Sequence, residues 1–159
     1  MKFEDYRDVV EKAAETFRLD TNLIRAVITV ESTWDTWAWK YEPTVSYSVR
    51  IRDYANKLGI LYATEEKNQK TSWGLMQVMG FLARDLGFTD HLSMLWHPEI
   101  GIFYGAKNLQ RLSQKYSDET DVIASYNAGS PRKTPGGFYE NQGYVNRVSG
   151  ELSKLRKLI

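Results

Sequence analysis

Apolar residues recur at intervals of three and four along almost the whole chain, a period that suits helices and little else. From Phe3 to Phe17 the stripe runs through Tyr6, Val9, Val10, Ala13, Ala14 and Phe17. Asp20 is expected to cap a second helix over Leu23 to Val30, and Asp35 to cap or turn the chain after it. Tyr47, Ile51, Tyr54, Ala55 and Leu58 mark a helix over 47–58 that stops at Gly59. Residues 62–72 are polar and aperiodic and read as an exposed loop. Leu75, Val78, Met79, Leu82 and Leu86 form another stripe, closed by Gly87. Pro98 suits a helix first turn and opens a segment that runs to about Tyr116. A short helix from Glu119 leads into Tyr126, and the Gly- and Pro-rich stretch 127–137 reads as loop. The last helix carries Tyr144, Val148, Leu152 and Leu155. Between Trp39 and Val45, Pro43 forbids helix and leaves room for a small hairpin or extended piece. The expectation is a mainly α fold in one domain, residues 1–159.

Composition narrows what such a fold can do. With 21 basic and 20 acidic residues the net charge is +1, without the basic footprint of a nucleic-acid binder. There is no cysteine, so neither a disulfide framework nor a thiolate metal site is open to it. Two histidines, His91 and His97, are too few for a histidine zinc site, and neither metal nor cofactor is expected. No apolar stretch is long enough to span a bilayer. Aromatics reach 13%, which suits a surface that stacks on sugar rings as well as it suits a dense small core.

One residue sits where its type does not belong. Projected at about 100° per residue, Leu23, Ile24, Ala26, Val27, Ile28 and Val30 fill one wide arc, and Glu31 falls inside it. The ordinary reading is a helix-end glutamate that reaches solvent or meets an arginine. The other is a carboxyl kept protonated near neutral pH by an apolar wall, as a general acid requires. Such a group can protonate a glycosidic oxygen.

Three further segments bear on that choice. Trp73-Gly74-Leu75-Met76-Gln77 is expected to open a helix, with Gly74 permitting close approach of backbone or ligand. Gln77 both donates and accepts hydrogen bonds, as hydroxyl and acetamido groups require. Ser125-Tyr126-Asn127-Ala128-Gly129 ends a helix with an aromatic, an amide and two small residues. Tyr144 is placed to project its hydroxyl inward from the last helix. Taken singly, each is more often a cap, a turn or a core tyrosine.

Taken together, Glu31-Ser32 after an apolar helix, Gly74-Leu75-Met76-Gln77, Tyr126-Asn127-Ala128-Gly129 and Tyr144-Val145 resemble the soluble lytic transglycosylases of the goose-lysozyme-like type. Pro98-Glu99-Ile100-Gly101 through Gly105 and Leu109 fits the helix before the Tyr-Asn-Ala-Gly motif, and the likeness covers roughly residues 8–150. The resemblance implies a mainly helical, lysozyme-like fold acting on peptidoglycan glycan strands, with Glu31 as acid and base. It also implies glycan contacts from Gln77 and Asn127, and Tyr144 hydrogen-bonded near the acid. Met76 and Tyr126 would line subsites, Gly74 and Ala128 would lie within the binding motifs, and Ser32 would steady the helix end or the acid. Two departures stand out: Thr71-Ser72 replaces a common Gly-Ala pair, and the stretch from Glu31 to Gly74 is longer than in many members.

The reaction so implied breaks the bond between N-acetylmuramic acid and N-acetylglucosamine and closes a 1,6-anhydro ring. A hydrolase, muramidase or chitinase, is the alternative, and an inverting one needs a second carboxylate about 6.5–9.5 Å away. Glu42, between Tyr41 and Pro43, is the candidate. Asp35 reads as a helix cap, and Asp53 as part of a solvated face beside Arg50 and Arg52. A silent glycan-binding or structural module is the third reading. A monomer is expected. The N-terminus lacks a secretory pattern, so delivery by phage lysis or within a virion is the expected route to the wall.

Overall fold

The computed structural model describes residues 2–158, so Met1, on which the expectation about delivery turns, lies outside them. Eight α-helices and a three-stranded sheet make it mainly α, as the periodicity requires. No helix among the described residues is long and apolar enough to cross a membrane. The chain forms two compact units, one of residues Glu31–Gly105 and one of Lys2–Val30 with residues 106–158.

The second of these is built on helices. After a 3-10 turn at Phe3–Tyr6, α1 (Arg7–Phe17) buries Val10, Ala13, Ala14 and Phe17, one face of the expected stripe. α2 (Thr21–Ser32) starts where Asp20 was expected to cap it: the Asp20 carboxylate accepts from the Asn22 N–H at 2.8 Å. α7 (Glu119–Ala128) is capped in the same way by Asp118 on Thr120, at 2.7 Å. α8 (Gln142–Arg156) buries Tyr144, Val145, Val148, Leu152 and Leu155. Its Arg156 reaches both Asp20 (2.7 Å) and Glu119 (2.8 Å), joining the C-terminal end of one helix to the N-terminal ends of two others. Those two carboxylates hold the guanidinium pKa above its ordinary value. Complete burial of Ile24, Val27, Leu109 and Val148 supplies the core, about 1.5–3 kcal/mol for each such side chain.

The other unit is where the structure departs from the periodicity. β1 (Trp39–Tyr41) is the extended piece allowed for before Val45, and it pairs antiparallel with β2 (Thr71–Trp73). β2 pairs antiparallel with β3 (Val78–Met79), in the order β1-β2-β3. α3 (Ile51–Leu58) begins later than 47 and ends on Gly59 in the left-handed conformation, φ 65°. Its late start has a cause. The Gln69 carboxamide takes both the N–H and the C=O of Val49, each at 2.7 Å, and so holds that backbone outside the helix. Arg50 then turns into the left-handed region at φ 43°.

Residues 62–72, expected as exposed loop, are instead α4 (Tyr62–Gln69) followed by β2. α4 carries no apolar stripe because its inward face is polar: Glu65 and Gln69 are completely buried. Glu65 pairs with Arg84 of α5 (Gly80–Asp85) in bidentate fashion, at 2.8 and 3.0 Å. Arg84 also donates to the carbonyls of Phe88 and Asp90 and lies over the Tyr54 ring, while Gln69 donates to Glu65. A buried ion pair persists only when its remaining polar atoms are satisfied, as they are here. A 3-10 turn at Leu92–Trp96 leads into α6 (Pro98–Lys115), which Pro98 opens as expected.

Candidate active site

Glu31 lies in the last turn of α2, half-buried, after a run in which Ile24, Val27 and Ile28 are completely buried. The chain then leaves the helix abruptly. Thr33 and Trp34 are consecutive non-glycine residues in the left-handed region, at φ 50° and 66°. Such backbone is costly for residues with a Cβ and persists where the surroundings hold it. Here Asp35 N–H bonds Ser32 O at 3.0 Å, and the Asp35 carboxylate accepts from Trp37 N–H at 3.0 Å, the turning role expected of it.

Gly74–Gln77 does not open a helix. It is the turn joining β2 to β3, and helix resumes only at Gly80. The reason is backbone conformation: Gly74 at φ 71° and Gln77 at φ 47° are both left-handed, which no α-helix tolerates. Gly74 N–H extends the sheet by bonding Ala38 O at 2.8 Å, and its Cα packs so closely on the Leu95 carbonyl that no Cβ fits. The Leu75 carbonyl accepts from the Ser32 hydroxyl at 2.8 Å, joining the end of α2 to the turn. Met76 is completely buried against Gly105 of α6, at which a Cβ would collide with its side chain.

The Gln77 carboxamide is oriented from two sides. Its Nε2 donates to Gly74 O at 2.9 Å, and its Oε1 lies 3.2 Å from the Ser72 hydroxyl, which also lies 3.3 Å from Lys40 O. Ser72 is one of the two departures from the family pattern, and the hydroxyl it adds meets the amide expected to touch the glycan. Glu42, just past β1, is half-buried and pairs with Lys40 at 2.6 Å. Asp53 pairs with Arg50 at 2.7 Å on an exposed face, as expected.

Exposed aromatics gather around the sheet, at positions that no periodicity or motif marks. Trp37, Trp39 and Tyr41 are exposed, Trp39 at 62%, although aromatics of this size are normally mostly buried. Trp37 meets Trp96 edge-to-face at 5.7 Å, and Trp96 meets Trp73 at 5.0 Å. Beside Trp37 a cavity of about 360 Å³ is lined by Thr36, Met94, Trp96 and His97 among others. The aromatic enrichment was the available signal. Which aromatics stay exposed is a matter of tertiary packing.

In the helical unit, α7 ends at Ala128 with Gly129 in the left-handed conformation at φ 77°, its N–H on Ser125 O. Tyr126 and Ala128 are half-buried, Asn127 is exposed, and Tyr144 is buried within α8. The Asn127 oxygen accepts from Asn141 Nδ2 at 3.0 Å. The loop between these helices closes through a Lys133–Tyr139 bridge, an Arg132–Glu140 ion pair at 2.7 Å and a Tyr139–Asp121 hydrogen bond at 2.5 Å. Burial, and then that hydrogen bond, push the Tyr139 hydroxyl up to about 12.

Comparison with known proteins agrees with the motif reading. Two curated relatives, both called protein IpgF, from Shigella sonnei and Shigella flexneri, are each 24% identical over 130 residues, covering 79% of this chain and 69% of theirs. No solved structure matches. The family model described as the transglycosylase SLT domain matches residues 8–135, well over half of the chain. With its mainly helical, lysozyme-like fold, the chain belongs to the transglycosylase SLT domain family.

Proposed function

We propose that this protein is a peptidoglycan lytic transglycosylase that cleaves the β-1,4 bond between N-acetylmuramic acid and N-acetylglucosamine, with Glu31 as its acid and base. One observation carries the reading: Glu31 lies in the last turn of an apolar helix whose final residue, Ser32, is bonded at 2.8 Å to the turn that presents Gln77. The consecutive left-handed residues Thr33 and Trp34 support it, because strained backbone concentrates at functional sites.

Protonated Glu31 gives its proton to the glycosidic oxygen as the bond to the anomeric carbon breaks. Positive charge at that carbon is relieved by the substrate's own acetamido oxygen, one of the exceptions to the two-carboxylate scheme. The C6 hydroxyl of the muramoyl residue then attacks the anomeric carbon. Its proton returns to the Glu31 carboxylate, so the enzyme ends as it began and no water is consumed. The resemblance assigns glycan contacts to the carboxamides of Gln77 and Asn127, places Tyr126, Gly74 and Ala128 in the binding motifs, and gives Tyr144 the role of supporting the acid. Ser32 and the buried Met76 hold the helix end and the turn.

The hydrolytic reading keeps one observation in its favour: Glu42 is half-buried beside the exposed aromatic strand, where it pairs with Lys40 at 2.6 Å. The experiment is digestion of purified peptidoglycan, with reducing ends counted and products weighed by mass spectrometry. Products lighter than the hydrolysis products by one water support the transglycosylase. Full-mass products with new reducing ends overturn it in favour of a hydrolase, and no release of fragments leaves a silent module.

A further inference from the structure

Asn141 occupies the N-cap position of α8, where an asparagine oxygen ordinarily takes the N–H of the second or third helical residue. It makes no such bond. Its backbone carbonyl still opens the helix, accepting from Tyr144 at 2.9 Å and Val145 at 3.2 Å, but its side chain turns to α7 instead. There Nδ2 donates to Ala124 O and to Asn127 Oδ1, both at 3.0 Å.

A carboxamide nitrogen carries two hydrogens, and both are used in this way. The Ala124 carbonyl decides which atom is which. A carbonyl oxygen only accepts, so the Asn141 atom facing it is nitrogen, and the Asn127 atom facing that same nitrogen must be oxygen. The usual ambiguity of amide orientation is removed at both residues. Asn127 is exposed, with its oxygen held inward and Nδ2 left with both hydrogens for a ligand.

We propose that Asn141 is a positioning residue that fixes Asn127 as a donor, so that the protein selects a glycan bearing an acceptor there, the acetamido carbonyl of an N-acetylated sugar. The inference rests on the reading of Asn127 as a glycan contact. A deacetylated sugar carries an amine in place of that carbonyl, which is itself a donor and meets Asn127 hydrogen to hydrogen. Helix α8 gives up a side-chain cap so that this orientation is kept.

The test compares the intact protein with Asn141→Ser and Asn141→Asp on soluble peptidoglycan strands, native and chemically N-deacetylated, with melting temperatures measured alongside. Serine is too short to reach Asn127 but caps a helix well, so this variant is expected to fold. It should raise KM for acetylated strands by about fivefold to tenfold, the effect of one hydrogen bond, with kcat within about twofold. Aspartate offers only acceptors, so it donates neither to the Ala124 carbonyl nor to Asn127, and the Asn127 amide is released to present its oxygen as well as its nitrogen outward. The preference for acetylated over deacetylated strands should then fall at least about tenfold, a change that loss of fold alone does not produce. Cleavage by the wild type with KM and preference unchanged in both variants overturns the role of Asn141 alone. A wild type that cuts neither substrate overturns the functional reading and this inference together.

Discussion

The Ser32 hydroxyl donates to the Leu75 carbonyl at 2.8 Å, so the residue next to Glu31 is tied to the middle of the Gly74–Gln77 turn, 43 positions further along the chain. Ser32 is buried, and that carbonyl has no solvent to replace the bond. Ser32→Ala should therefore destabilise the protein by about 1–3 kcal/mol, the desolvation cost of an acceptor left without its donor. Urea denaturation measures this, and turnover of peptidoglycan should fall further than the loss of folded protein explains. Unchanged stability and turnover would mean that the turn holds its place without the bond.

Glu31→Gln keeps the shape of the side chain and removes its capacity to exchange a proton. Turnover should drop by about 10²–10⁴, the usual contribution of a positioned acid and base, while the melting temperature stays near that of the wild type. Wall lysis at the wild-type rate by this variant would remove Glu31 from the chemistry.

Removing one partner of the Glu65–Arg84 pair leaves the other charge buried and alone. Arg84→Met should cost about 3–5 kcal/mol in denaturant unfolding. Glu65→Leu combined with Arg84→Met should cost much less than Arg84→Met alone, because no buried charge remains. If the single and double variants unfold at the same denaturant concentration, the pair is not what holds α4 against α5.

Tyr139 gives a pH dependence with a definite sign. Its hydroxyl titrates at about 12 when folded, through burial and its bond to Asp121, against about 10 for an unperturbed tyrosine. A raised value stabilises the fold fully below the unfolded value, and that contribution is lost as pH rises from about 10 through about 12. The melting temperature should fall more steeply between pH 9 and 11.5 in the wild type than in Tyr139→Phe, which has no proton to lose. Parallel curves for the two proteins would contradict the shift.

Much of the helical framework was legible because its signals are local. The stripes of α1, α2 and α8, the Asp20 cap, the stop at Gly59 and the start at Pro98 each depend on residues within one or two turns. The sheet was mostly illegible. Strands of two and three residues are too short to show an alternating pattern, and β2 pairs with a strand 30 to 34 positions earlier. α4 was hidden for the opposite reason, since its buried face is Glu65 and Gln69, which read as solvent-facing until Arg84 is brought against them.

The site divides in the same way. A glutamate inside an apolar arc could be read from residue type and spacing, and the motifs at 74–77 and 126–129 from their resemblance to a known family. Spacing did not reveal that Gly74–Gln77 is a turn rather than a helix start, that Ser72 bonds Gln77, or that Asn141 abandons its capping role to orient Asn127. Helix period and capping are near-neighbour properties, written into the order of the chain. The direction in which an amide points is set by whichever carbonyl lies across from it, and only the folded backbone decides which one that is.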